Sequence, residues 1–163
     1  MKKPVLLFFG ICLFLTQLVY AQGGKKKKPQ PKVPQVVLTA FATKYPNLKP
    51  TDWDWEPEKE TYEADFMQDN KKREAVFTPA GKWLKTKTEI TKAELPALVA
   101  KAAASSAYGT WQMNKFEMVE TADKGIHYKI RFKKGQEEQS LKFDAKGNLI
   151  QKNNAAKKPA QKS

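Results

Sequence analysis

The chain has 163 residues, with 30 Lys plus Arg against 17 Asp plus Glu, a formal charge of +13, one Cys and one His. That length admits one domain or two very small ones and excludes a large multidomain enzyme or a long helical solenoid. One Cys cannot close an internal disulfide, and with one His beside it no Cys/His zinc cage can be assembled.

Residues 1–21 place Lys2 and Lys3 before an apolar run from Val5 to Val19, then Val19-Tyr20-Ala21 ahead of polar sequence. This is the three-part pattern of a secretory signal peptide, cut between Ala21 and Gln22. A retained anchor is the weaker reading, because the run falls short of the roughly 20 apolar residues that a bilayer crossing needs. Lipidation at Cys12 is rejected, since Ile11 precedes it where a small residue is expected. Past Ala21 the chain has no cysteine, so thiol catalysis and thiolate metal sites are excluded and an oxidising compartment makes no demand on it. The expected location is periplasmic or extracellular.

Two segments carry most of the charge. Residues 22–32 hold five lysines, Lys25 to Lys28 and Lys32, and residues 152–163 hold four, which with the two of the leader leaves 19 basic residues to face all 17 acids between Val33 and Gln151. The domain itself is therefore nearly balanced, and the high charge is no argument for a specific nucleic-acid partner. Both flanking segments, a Lys/Pro-rich linker and a basic tail, have the composition of disordered chain. Their functional reading is weak attraction to an anionic envelope surface, worth up to roughly 1 kcal/mol per Lys at low salt.

From Val33 onward the chain reads as a helix and four strands, twice. Pro34 opens a helix on which Val37, Phe41 and Tyr45 recur every fourth residue, and Tyr45-Pro46-Asn47 ends it. Trp53 and Trp55 alternate with Asp52, Asp54 and Glu56, and Tyr62, Ala64 and Phe66 alternate with Glu63 and Asp65; that period of two marks strands with one buried and one wet face. Asp69-Asn70 and Pro79-Ala80-Gly81 supply turns. Thr91 and Glu94 can form a capping box, but the second helix is placed from Pro96, by analogy with Pro34, through Val99 to Tyr108-Gly109. Tyr128, Ile130 and Phe132 then alternate with His127, Lys129, Arg131 and Lys133, with turns at Lys134-Gly135 and Asp144-Ala145-Lys146-Gly147-Asn148.

The two halves superpose in sequence. Tyr62, Phe66, Phe77 and Gly81 fall on Tyr128, Phe132, Phe143 and Gly147 at an offset of 66, and Val33-Pro34 falls on Leu95-Pro96 at 62. A period of this length signals one supersecondary unit used more than once. The expected fold is α+β, a tandem repeat of helix plus four-stranded antiparallel sheet with the helices on one face, over residues 33–90 and 91–151. A lone unit of about 60 residues buries only about 60% of its unfolded surface, so the two are expected to share a core or to abut.

The run Val33-Pro34, Phe41, Tyr45-Pro46, Trp53, Trp55, Tyr62-Glu-Ala-Asp-Phe66, Ala75-Val-Phe77, Pro79-Ala-Gly81, Leu95-Pro96, Tyr128-Lys-Ile-Arg-Phe132, Leu141-Lys-Phe143 and Gly147-Asn-Leu149 resembles the exported bacterial PepSY-like, β-lactamase-inhibitor-like (BLIP-like) proteins. The resemblance covers residues 33–151 and rests on fold motifs. It implies two PepSY-like units, export, no enzymatic activity, and binding or inhibition of another protein across the wet sheet face. The secreted inhibitors that this fold resembles are held by disulfides, and this chain past its leader has none.

Chemistry-bearing residues are few. Asp52, Asp54 and Glu56 line one strand face without the glycine-centred loop that makes oxygens converge on calcium. His127 stands in the outward phase with no nucleophile or orienting acid signalled beside it, and Ser105-Ser106 lie among alanines without a nucleophile elbow. No phosphate-cradling glycine loop occurs. No catalytic residue, metal site or cofactor is expected. What remains is a protein-binding set: acidic Glu63 and Asp65 in the first half, basic Lys129, Arg131 and Lys133 at the matching strand of the second, and Trp83, whose neighbour Leu84 forces one of the two away from the core. The partner is expected to be a protein of the cell envelope, and nothing in the sequence specifies its identity or the oligomeric state.

Overall fold

The computed structural model describes residues 31–154. The leader with its cleavage position at Ala21 and Gln22, most of the linker and most of the basic tail lie outside the described residues. The elements run α1 (Gln35–Lys44), β1 (Asp52–Glu56), β2 (Thr61–Gln68), β3 (Lys71–Phe77), β4 (Trp83–Ile90), a 3₁₀ turn (Lys92–Glu94), α2 (Ala97–Ala104), β5 (Gln112–Thr121), β6 (Gly125–Lys134), β7 (Glu137–Asp144) and β8 (Leu149–Asn154).

All eight strands form one antiparallel sheet in chain order, β1 to β8. The expected tandem repeat of helix plus four-stranded sheet is corrected here. Lys85 to Ile90 of β4 pair with Thr121 to Phe116 of β5, so the described residues form a single eight-stranded sheet with two helices. A sheet ending at β4 would expose a row of unpaired backbone N–H and C=O groups, and pairing with β5 satisfies them. Hydrophobic alternation reports which face of a strand is buried and is silent on which edges meet.

Both helices lie on one face. The register carries a row from Phe66 through Arg73, Thr88, Met118 and Tyr128 to Phe143. Above its first half, Val37, Phe41 and Tyr45 of α1 pack on Ala64, Phe66, Ala75 and Phe77; above its second, Leu95 with Val99 and Ala103 of α2 packs on Ile130, Phe132, Leu141 and Phe143. Helices of ten and eight residues are marginal alone in water, so these contacts hold them in place. Each fully buried phenylalanine contributes about 1.5–3 kcal/mol. Pro34 and Pro96 occupy the N-cap positions, each one residue ahead of the first helical residue, where the sequence spacing places the helix start on the proline itself. The Thr91–Glu94 capping box forms as well, on the 3₁₀ turn that precedes α2. α2 stops at Ala104, short of the expected Tyr108, because Ser106 Oγ donates to the Ala103 carbonyl at 2.7 Å and the chain folds into tight turns there.

Two turn glycines set the helices on the sheet. Gly81 (φ +79°) and Gly147 (φ +84°) adopt a backbone that L side chains rarely take, and a Cβ there would stand 2.9 Å from the Val36 carbonyl oxygen and 2.7 Å from that of Leu98. The β3–β4 and β7–β8 turns therefore press directly on the first turns of α1 and α2. Among the described residues no helix is long and apolar enough to cross a membrane.

Candidate functional site

The helices leave the other sheet face uncovered, and its charges are sorted. One row runs Asp52, Asp65, Glu74, Lys87, Val119, His127, Asp144; a second runs Asp54, Glu63, Val76, Lys85, Thr121, Gly125; a third runs Glu89, Glu117, Lys129, Lys142, Gln151. Carboxylates crowd β1 to β3 and ammoniums prevail from β4 onward. Val76 and Val119 are 2% and 5% exposed although they belong to this face, because long side chains on either side close over them while their charged ends stay in water.

Short-range pairing crosses the strands. Lys72 Nζ lies 3.3 Å from Asp65, Lys87 pairs with Glu74, and Arg131 reaches Glu138 at 3.8 Å. Glu117, only 6% exposed, is bracketed by Lys115 at 3.1 Å and Lys129 at 3.2 Å, and Lys115 also meets Glu89 at 3.3 Å. Burial alone pushes the Glu117 carboxyl up, and the Lys129 and Lys115 ammoniums outweigh it, so it titrates below its ordinary value. At the acidic end, burial first and the neighbouring Glu74 second push the Glu63 carboxyl up. Lys85 is pushed down by burial and then by Lys87, and Lys142 by burial and then by Lys129 and Lys124. His127 is pushed down by burial, then by Lys142, Lys85 and Lys124.

Glu63 and Asp65 on β2 and Lys129, Arg131 and Lys133 on β6 all project from this face, with three strands between the two groups. At a spacing of about 4.8 Å per strand they stand about 19 Å apart. They form the two poles of one surface and no single cluster. Trp83 is on the opposite face: its ring is half-buried against the first core, its indole N–H donates to Thr86 Oγ1 at 2.9 Å, and Lys44 Nζ stands 3.5 Å from its ring centroid. Sequence reasoning missed Glu74, Lys85, Lys87, Glu117 and Lys142, which join the poles. The available signal was the alternation of Lys85 and Lys87 with Thr86 and Thr88. Those threonines are each 2% exposed on the helix side and look polar in sequence, so the strand's buried face goes unrecognised.

Among the described residues no group of three or more His, Cys, Asp or Glu side chains is placed to hold a metal ion. An open cleft of about 690 Å³ runs along the β2–β3 turn and the start of the 3₁₀ turn, lined by Met67, Asn70, Lys71, Ile90, Thr91 and Glu94. Lys71 there pairs with Glu94, whose carboxyl is held at about 2 by the hydrogen bonds from Lys71 and from the backbone and side chain of Thr91. Lys71, Thr91 and Glu94 are thus occupied with one another.

The fold recurs in solved structures. A protein described as a putative periplasmic protein from Bacteroides eggerthii superposes with a TM-score of 0.70 at 25% identity, over 76% of this chain and 90% of its own. A BLIP-like protein from Bacteroides fragilis superposes at 0.68 with 22% identity, over 85% of this chain and 94% of its own. A DUF2874 family protein from Bacteroides ovatus gives 0.70 at 22% identity, over 76% and 89%. A search of the curated proteins returns no match. The family model described as "Putative beta-lactamase-inhibitor-like, PepSY-like" matches residues 60–151, from the start of β2 to β8. That match spans more than half of the sequence, and the chain belongs to the PepSY-like, β-lactamase-inhibitor-like family.

Proposed function

We propose that this protein is a non-enzymatic binding module of the cell envelope that docks another protein on the open face of its sheet. The observation that carries the reading is the sorting of charge on that face, from Asp52, Asp54, Glu63 and Asp65 at one side to Lys129, Arg131 and Lys133 at the other. A polarised face of this kind orients an oppositely patterned surface during approach and penalises a reversed one. Membership of the family supports a non-catalytic role, and the periplasmic description of the B. eggerthii relative, with the leader pattern ending at Ala21, supports the compartment. Inhibition of an enzyme is one form that such docking takes.

The test is capture from envelope extract by the protein lacking its leader, against a variant with Lys129, Arg131 and Lys133 all changed to Glu. Loss of the captured protein in the variant is expected. Capture that survives the triple charge reversal, and is instead lost on deleting Lys25 to Lys28 and the residues after Gln151, overturns the face and assigns binding to the basic flanking segments.

A further inference from the structure

The cations of the open face are not equally spent. Lys87 is neutralised by Glu74, Lys115 and Lys129 by Glu117, and Arg131 by Glu138. Among the described residues, Lys85, Lys124, Lys133 and Lys142 of this face have no carboxylate within ion-pair distance, and Lys142 Nζ donates to the neutral Gln151 Oε1 at 2.8 Å. Lys85, Lys124 and Lys142 converge on one place. Lys85 on β4 lies beside Thr121, which pairs with Gly125 at the start of β6; Lys124 is in the β5–β6 turn, its backbone N–H donating to Thr121 Oγ1 at 3.1 Å; and Lys142 on β7 pairs with Lys129, two residues along from His127. His127 occupies the centre, half-buried, with Val119 on one flank and Asp144 on the other. Asp144 does not answer the lysines, because its carboxylate accepts hydrogen bonds from the backbone N–H groups of Lys146 and Asn148 and from Asn148 Nδ2, all at 2.8–2.9 Å, and Asp123, beside Lys124 in the turn, pulls against the lysines at His127 but is within ion-pair distance of none of the three.

We propose that Lys85, Lys124 and Lys142, gathered about His127, form a carboxylate-recognition patch that takes an acidic segment of the docked protein. This rests on the docking-face reading above and names the chemistry of the partner at one place on it. Packing ammoniums together at a partly desolvated surface costs free energy that an incoming carboxylate recovers; the downward pressure that burial and mutual repulsion exert on Lys85, Lys142 and His127 is in keeping with this. The rest of the face selects a protein over a polyanion. A sulfated or phosphorylated polymer laid across the strands from this patch would run past Lys85 onto Glu74, Glu63 and Asp54 on the next three strands, within about 15 Å of that lysine. A folded protein can offer carboxylates to the patch and basic groups to that acidic end.

The test is a titration of the isotope-labelled protein, followed by amide NMR, with an eight-residue oligoglutamate and in parallel with a sulfated polysaccharide and an oligolysine. Oligoglutamate is expected to shift the amides around Lys85, Lys124, His127 and Lys142, and Lys85→Glu with Lys142→Glu is expected to weaken it about tenfold or more, with amides of the two cores unmoved. Oligoglutamate shifts spread over the flanking segments, or unchanged by the double variant, overturn the patch, and tighter binding of the sulfated polymer at the same amides overturns the protein occupant. If an envelope protein is captured equally by wild type and by K85E/K142E but is lost on reversing Lys129, Arg131 and Lys133, the patch fails while the docking face stands. If nothing captured responds to either set, both fail.

Discussion

The ammonium of Lys44 lies 3.5 Å from the centroid of the Trp83 ring, joining the last turn of α1 to the first residue of β4. The same indole donates to Thr86, whose hydroxyl also meets the Tyr45 phenol. An aromatic that reads in sequence as a surface anchor is thus a brace between helix and sheet. Trp83→Ala is expected to cost about 2–3 kcal/mol, below the range for a fully buried Trp because the ring is only partly buried, and Lys44→Gln about 0.5–1 kcal/mol. Chemical denaturation measures both. Neither is expected to alter capture of an envelope partner, since both residues lie on the helix side.

A side chain at Gly147 has nowhere to go. Gly147→Ala must hold φ near +84° and place its Cβ 2.7 Å from the Leu98 carbonyl oxygen, so the β7–β8 turn must lift from α2. The expected loss is about 2–3 kcal/mol. Gly135→Ala is the control: φ is also positive, but nothing lies within 4 Å of the added atom, and about 1 kcal/mol is expected. Comparing their thermal midpoints separates backbone strain from collision.

Glu117→Gln tests the ion cluster at the middle of the sheet. It removes the charge that Lys115 and Lys129 share; because both lysines reach solvent, the expected loss is about 1–2 kcal/mol, below that of a fully buried pair. The folded-state carboxyl titrates below its unfolded value, so its contribution is present above about pH 4.5 and is lost as pH falls through the depressed value. The urea midpoint of wild type is therefore expected to fall between pH 5 and pH 3 by more than that of Glu117→Gln.

His127 gives a second pH dependence at a higher window. Its folded pKa lies below the ordinary 6.5, from burial and from Lys142, Lys85 and Lys124, with Asp123 pulling the other way. The unfolded chain then takes up the proton first, and stability declines as pH drops from about 6.5 towards the folded value. His127→Gln is expected to flatten the decline between pH 7 and pH 5, as read by denaturation midpoints. A slope that persists in the variant refutes the assignment.

Much of this architecture was legible because aromatic residues mark the buried phase. Phe66, Phe77, Phe132 and Phe143 announce their strands, and Pro34 and Pro96 announce the helix starts. β4 was half-legible, its inward Thr86 and Thr88 being buried through contacts such as the Tyr45–Thr86 hydrogen bond that come from elsewhere in the chain. The union of all strands in one sheet was not legible, since the β4–β5 join is made by backbone groups common to every residue. Of the candidate site, alternation put Glu63, Asp65, Lys129, Arg131 and Lys133 on a common face. The lysines left without a carboxylate partner could be recognised only once the pairing of Glu74, Glu117 and Glu138 had shown which cations are already neutralised.

Because every strand lies beside its neighbours in sequence, the sheet can be laid down in the order the chain is presented. No strand waits for a distant segment, and no crossover must thread between finished pieces, which keeps the closure entropy of each step small. A chain delivered through a pore from its amino terminus would find each new hairpin matched to an edge already in place. The order that makes the architecture plain also lets it be built progressively, with each new strand covering the edge that the last one left exposed.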